Sequence, residues 1–439
     1  MNLRETLRIN ERGHLEIGGC DTVELAAKFG TPLYCLDEKH IRDMCRAYRD
    51  ALAAGYGEAQ ALYASKALSC KALYKIVHSE GLGADVVSSG ELYTALSGGM
   101  PADKIYFHGN NKTGQEIVYA LNSGVGTIVI DGDDEIDFLS SICEREGKRA
   151  SVLLRVNPGV EAHTHHYIQT SKVDSKFGLS IKSGDAERGV KNILSRKQLD
   201  LKGFHCHIGS QIFELKPFKV AVAIILDFAA EMRRKYGLIT RELNLGGGLG
   251  IWYAKGDRKT NVKDYKDFVK VICDAVRENC ERISLDRPRL LLEPGRSIVG
   301  EAGITLYTVG NIKDIKGIRK YVGIDGGMFD NPRYALYQAK YTAILANRAS
   351  EQPAEKVSIA GKCCESGDLI AVDVMLPPAK RGDILAVFST GAYNYSMASN
   401  YNRNAVPPVV LCKGGQAEYI VKPQSYEDIA RNDTFASWL

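Results

Sequence analysis

A chain of 439 residues has room for two domains, or for one barrel with an appendage. Its 45% hydrophobic and 25% charged content is that of an ordinary globular protein, and a formal net charge of +4, scattered along the chain, builds no basic surface for nucleic acid. No apolar run reaches membrane-spanning length; the best, residues 221–230, is interrupted by Asp227. The charged start is followed by no apolar core, so no signal peptide is expected. Eleven cysteines, an odd number at irregular spacing, do not make a disulfide framework and point to a reducing cytoplasm.

The first 45 or so residues hold two strand-like pieces, 14–17 and 32–36, around a helix-like run at 22–29. From Gln60 a regular alternation begins. Strand candidates at 60–67, 83–88, 105–109, 127–131, 151–157, 201–207, 242–245 and 289–293 alternate with helical patterns. The helical stretches are 71–80, 89–96, 114–123, 133–146, 184–195, 216–235 and 262–280. Ser88-Ser89-Gly90-Glu91 caps one helix start, and Gly147 and Gly237 follow two helix ends.

Eight strands alternating with helices is the count of an α/β fold closed into a parallel (β/α)8 TIM-type barrel. A doubly wound open sheet would want Gly-x-Gly-x-x-Gly opening its first helix, a spacing that Gly246-Gly247-Gly248-Leu249-Gly250 does not meet. After Arg296 the pattern changes to short, often alternating runs at 304–309, 321–325, 341–344, 356–359, 369–374, 384–388, 409–411 and 418–421. Gly, Pro and Asp separate them, which predicts a mostly-β second domain, sandwich-like or barrel-like. The expected division is a barrel over 46–296 and a β-rich domain assembled from 1–45 and 297–439.

In such barrels the chemistry lies at the carboxyl ends of the strands. Those positions hold Lys66, Asp85 with Ser88, Arg155 with Asn157, His205 with His207, Gly246 to Gly248, and Glu293 with Arg296. A lysine closing a buried strand either snorkels to solvent or stays desolvated, with a lowered pKa suited to attack on a carbonyl. Gly209-Ser210, the glycine run and Glu293-Pro294-Gly295-Arg296 would let backbone N–H groups approach a phosphate, which barrels often bind after their last strands. Alone, each is a tight turn or a strand stop. Together with the lysine they suggest a phosphorylated aldehyde cofactor held by Lys66.

Tyr63-Ala64-Ser65-Lys66-Ala67, Asp85-Val86-Val87-Ser88-Ser89-Gly90-Glu91, His207-Ile208-Gly209-Ser210-Gln211, Gly246-Gly247-Gly248 and Glu293-Pro294-Gly295-Arg296 occur in an order that spans nearly the whole chain. In this the chain resembles the pyridoxal-phosphate decarboxylases of the alanine-racemase-like barrel fold. The His207 motif, Asp174-Ser175-Lys176-Phe177-Gly178 and Cys364-Glu365-Ser366-Gly367-Asp368 are similar to those of the diaminopimelate decarboxylase family in particular, which makes lysine in the last step of the bacterial pathway.

The resemblance implies pyridoxal 5'-phosphate bound covalently to Lys66, with Glu293 facing the pyridine nitrogen and His207 stacked on the ring. Ser210, Gly248, Gly295 and Arg296 would take the phosphate, and Asp85, Arg155 and Tyr393 would complete the cofactor site. Arg296, Arg333, Tyr337, Glu365 and Tyr393 match substrate-binding positions, and Cys364 would be the proton donor. Planar guanidinium groups suit carboxylates because they can bond both oxygens. The resemblance also implies a homodimer with active sites shared between chains, and no metal. Lys362 stands where the family commonly has proline, and Lys172 where a glycine is usual.

Three other readings compete. A metal-dependent barrel hydrolase could use His205 and His207, two apart on one strand, with His163, His165 and His166 nearby. A non-enzymatic cofactor carrier would need no second domain. Within the family, a decarboxylase of ornithine, lysine or arginine would differ at the far end of the substrate.

Overall fold

Eight short parallel strands are set by runs of residues that bury both faces, the pattern expected of a sheet covered by helices. The computed structural model describes residues 7–160, 175–254 and 256–439. His163, His165, His166, Lys172 and Asp174 therefore lie outside the described residues. Two compact units result, one formed by Arg42–Ile251 with Arg258–Ser297, the other by Met1–Ile41, Trp252–Asp257 and Ile298–Leu439.

In the first unit the strands are β1 (Ala59–Ala64), β2 (Gly83–Val86), β3 (Ile105–Phe107), β4 (Thr127–Ile130), β5 (Ala150–Asn157), β6 (Leu199–His205), β7 (Glu242–Asn244) and β8 (Arg289–Leu292). Each pairs in parallel with the next, and β8 closes on β1 with Leu290 opposite Ala59 and Leu292 opposite Ala61. The (β/α)8 barrel expected from the alternation is thus present. Leu62, Tyr106, Val129, Leu153 and Leu291 form a buried cluster from five of its strands. The Tyr106 hydroxyl is satisfied by Glu242 Oε2 at 2.9 Å.

Helices follow the strands with local reasons for their ends. Gly114–Ser123 starts on a Thr113–Glu116 capping box and stops at Gly124 in the left-handed conformation. Two elements of this part of the chain escaped the periodicity. Glu38–Gly55 is a helix whose buried side chains, Ile41, Met44, Cys45, Tyr48 and Leu52, recur at three- and four-residue spacing among many charges. Leu179–Ser180 is a two-residue strand beside β5, too short to carry a pattern.

The second unit is built on the long strand Gly303–Ile315, which pairs antiparallel with Arg319–Ile324, Ile384–Phe388 and Leu33–Asp37. Val409–Lys413 then pairs in parallel with Leu33–Asp37. A strand from the amino-terminal region thus lies inside a sheet made mostly of carboxyl-terminal strands. Leu15, Ile17, Leu33, Ile304, Leu306, Phe388 and Val410 meet in its core.

Candidate active site

The carboxyl ends of β1 and β8 are stitched together. The N–H of Ala64 donates to the Pro294 carbonyl at 3.1 Å, and a Cβ on Gly295 would stand 2.9 Å from that of Ala64. Glycine at 295 therefore lets the Glu293–Arg296 turn lie against the end of β1. Lys66 follows in a 3-10 turn, Ser65–Ala67. Of the two positions open to this lysine, the structure has the exposed one. The strand stops at Ala64, and the turn leaves Lys66 exposed while Ser65 and Ala67 are buried. Asp85 and His207 both feel the Lys66 ammonium.

Three side chains close on the Glu293 carboxylate at the barrel mouth. Asn244 Nδ2 donates to Oε1 at 2.7 Å, His108 Nε2 lies 2.8 Å from the same oxygen, and His205 Nε2 is 3.2 Å from Oε2. All four residues are buried. Despite burial, His108 and His205 hold Glu293 well below the usual carboxylate range. Asp85 has no such set of donors. Burial pushes it from 3.8 up to about 6, against the pull of His108.

The loops after β6 and β7 supply a cradle of backbone. Gly246 and Gly248 have φ of +66° and +118°, and a side chain on Gly247 would sit 2.1 Å from the Glu293 carbonyl oxygen. No other residue fits this run without moving the backbone. The Gly247 N–H donates to His207 Nδ1 at 3.3 Å. Burial, then Lys66 and Arg155, push His207 well below its ordinary range, so the ring is neutral, as a face for stacking on an aromatic ligand should be. Across the mouth, Arg296 reaches the hydroxyl of Ser210. Arg155 bonds Asp131 Oδ1 at 3.1 Å and lies 4.3 Å from the centre of the Phe177 ring.

The remaining sequence-assigned residues belong to the second unit. Arg333 is buried between two tyrosines, 4.7 Å from the Tyr253 ring centre and 5.6 Å from that of Tyr341, and it donates to the Tyr341 hydroxyl at 2.6 Å. Tyr337 ends the same short helix, Arg333–Tyr337, half-buried. Tyr393 is half-buried at φ +65°. Cys364 and Glu365 are exposed on a turn anchored by buried Asp368, which accepts N–H bonds from Met328 at 2.6 Å and Cys363 at 2.7 Å. Cys363 is half-buried and pushed up to about 11 by burial and Asp368. Cys364 is the exposed thiol of the two.

His108 and Asn244 were missed from sequence. Both sit on or beside strand ends, of β3 and β7, and a reading of those two ends would have found them. The donor set suits pyridoxal phosphate: glycine N–H groups, Ser210 and Arg296 for a phosphate, a neutral imidazole for a ring face, an anionic carboxylate for a ring nitrogen, and an exposed lysine for an aldehyde. His108, His205 and Glu293 also bring ligand atoms within 4.8 Å of one another, close enough for one small cation. The imidazole paired in that cluster is thus His108, not His207.

Residues 38–300 match the family model of the pyridoxal-dependent decarboxylases, pyridoxal binding domain. The chain is 50% identical to the diaminopimelate decarboxylase of Bacillus subtilis (strain 168) over 433 residues, 99% of this chain and 98% of that one. It belongs to the diaminopimelate decarboxylase family.

The family's solved structures agree. That of diaminopimelate decarboxylase from M. jannaschii in co-complex with L-lysine superposes with a TM-score of 0.90 at 36% identity, covering 99% of both chains. A lysine/ornithine decarboxylase from Vibrio vulnificus complexed with putrescine superposes at 0.74 with 22% identity, covering 90% of this chain and 98% of that one, and shares the fold. Membership in the diaminopimelate decarboxylase family removes the metal-hydrolase and carrier readings, and pyridoxal phosphate is the cofactor. Among the described residues no helix is long and apolar enough to cross a membrane.

Proposed function

We propose that this chain decarboxylates meso-2,6-diaminopimelate at its D-centre, giving L-lysine and CO2 as the last step of lysine biosynthesis. Similarity to diaminopimelate decarboxylases along 99% of the chain carries the reading. The strand-end cluster of Lys66, His207 and Glu293 supports the chemistry. Pyridoxal phosphate supplies an aldehyde for the substrate amine and a ring that accepts the electron pair left by CO2.

The chain's own residues do the rest. Lys66 would hold the cofactor covalently through its side-chain amine. Ser210, Arg296 and the backbone at Gly248 and Gly295 fix the phosphate. Glu293 keeps a proton on the ring nitrogen, and His207 covers one ring face, with Asp85, Arg155 and Tyr393 around the cofactor. Arg296, Arg333 and Tyr337 orient the substrate's carboxylates, while Glu365 takes the amine at its far end. Cys364 delivers a proton from Sγ to the carbon that loses CO2.

Cys364 and Glu365 belong to the second unit, Lys66 and Glu293 to the barrel unit. The reading joins them across a homodimer, the turn at 364–365 of one chain entering the barrel mouth of its partner. Eleven free thiols, nine of them buried, favour the cytoplasm. Incubating the purified enzyme with meso-diaminopimelate, beside ornithine, lysine and arginine, and scoring CO2 and product tests the substrate. Preferred turnover of any of the three controls would overturn it.

A further inference from the structure

Glu293 owes its charge state to a residue outside the family motifs quoted above. Burial alone would leave a neutral carboxylic acid, as it tends to do at Asp85. His205, lowered to about 4 mainly by burial, stays neutral and gives Glu293 only a hydrogen bond from Nε2. His108 is different. Despite burial it is raised by Glu293 and by Asp85, with Arg155 opposing. Its Nε2 stands 2.8 Å from Glu293 Oε1 and 4.0 Å from Asp85 Oδ1, and its ring packs edge-on to His205 with centres 4.7 Å apart.

Of the two imidazoles, His108 is thus the one whose protonated form is favoured, by a carboxylate 2.8 Å away and a second 4.0 Å away. A carboxylate accepts about four hydrogen bonds. Asn244 and His205 supply two of them to Glu293, one on each oxygen, while His108 stands against Oε1 as an ion-pair partner, which leaves room on Oε2 for one more donor.

We propose that His108 is a positioning residue that holds Glu293 as an anion, so that the proton shared with the cofactor's ring nitrogen stays on the nitrogen. In a buried acid–base pair the proton goes to the more basic partner. A cation against Oε1 makes the carboxylate the weaker base, and the protonated ring is the stronger electron sink. Without that cation the pair relaxes to a carboxylic acid and a neutral ring, because separated charges are costly to bury. This inference rests on Glu293 being the ring-nitrogen partner. His108 itself need not touch the cofactor.

The test uses holoenzyme loaded with pyridoxal phosphate carrying 15N in the ring, comparing the unmodified chain with His108→Ala and His108→Gln. In His108→Ala the ring resonance should move from the pyridinium position toward neutral pyridine. The same variant should lose kcat by roughly 10- to 100-fold, one to two pKa units of proton affinity, with KM little changed. His108→Gln keeps an amide donor without the charge, so it should restore folding and cofactor content but not the pyridinium resonance. In cofactor-free enzyme, the His108 ring should titrate above its ordinary value and fall back in Glu293→Gln.

A pyridinium resonance and normal kcat in cofactor-loaded His108→Ala would overturn the proposal. So would lowered cofactor content with an unmoved resonance, which is the mark of a merely structural role. If His108→Ala fails to fold, His108→Gln and the cofactor-free titration decide. A neutral ring in the unmodified enzyme would instead refute the role of Glu293, leaving the titration to report on the His108–Glu293 pair.

Discussion

Arg296 donates to the Ser210 hydroxyl through both Nε, at 3.3 Å, and Nη2, at 3.1 Å. One side chain from the turn after β8 is thereby tied to the loop after β6, and both are held where a phosphate would enter. A hydroxyl oriented by a guanidinium presents its proton outward, toward an anion. Ser210→Ala should weaken pyridoxal phosphate binding by about tenfold or more, the worth of one charge-assisted hydrogen bond. Equilibrium dialysis of the reconstituted enzyme measures it. Unaltered affinity would place the phosphate elsewhere.

Lys66 stands exposed where β1 has ended, one turn from Pro294 and Gly295. Lys66→Ala should abolish the covalent cofactor linkage and nearly all turnover. Borohydride reduction of the unmodified enzyme followed by peptide mapping should find the pyridoxyl group on Lys66. A label on another lysine would end this assignment.

Arg333 is held between Tyr253 and Tyr341, so its guanidinium has a fixed direction. Arg333→Ala should raise the KM for diaminopimelate roughly 10- to 100-fold, as expected for losing a hydrogen bond to a charged group. Cofactor affinity should be almost unmoved. Equal losses in both would mean that Arg333 supports the fold around those tyrosines rather than the substrate.

Asp85 gives a pH signature in the cofactor-free enzyme. Its folded-state value, about 6, lies above the ordinary 3.8, so the folded chain binds the proton more tightly than the unfolded chain does. That preference stabilises the fold below 3.8 and is lost as pH rises through 6, leaving a buried carboxylate at a cost on the order of 3 kcal/mol. Asp85→Asn should raise the melting temperature at pH 8 and leave it nearly unchanged at pH 4. A uniform shift at both values would show that the effect is packing.

An active site shared between two chains, as proposed, predicts complementation between two inactive chains. Lys66→Ala and Cys364→Ala should each be nearly inactive alone. A mixed dimer with composite sites has one site carrying both lesions and one carrying neither. Random remixing of equal amounts should restore about a quarter of the original sites, as two-fold symmetry requires. With subunit exchange verified independently, no recovery would place Lys66 and Cys364 in one chain's site.

The barrel was legible because parallel strands buried on both faces, such as Thr127–Ile130, read as continuous apolar runs at regular intervals. The motifs around Lys66, His207 and Glu293 were legible because their spacing is local. Glu38–Gly55 has its buried residues at three- and four-residue spacing, and it was missed among its charges rather than hidden. Only the tertiary structure placed Leu33–Asp37 between Gly303–Ile315 and Val409–Lys413, since strand pairing joins residues that no local pattern connects. Only the tertiary structure decided which carboxylate is held as an anion. Asp85 and Glu293 look alike at their strand ends, yet Glu293 meets His108, His205 and Asn244 from β6, β7 and the end of β3, while Asp85 meets mostly burial. A carboxylate's proton is governed by lost water and nearby charge, and both are set by folding.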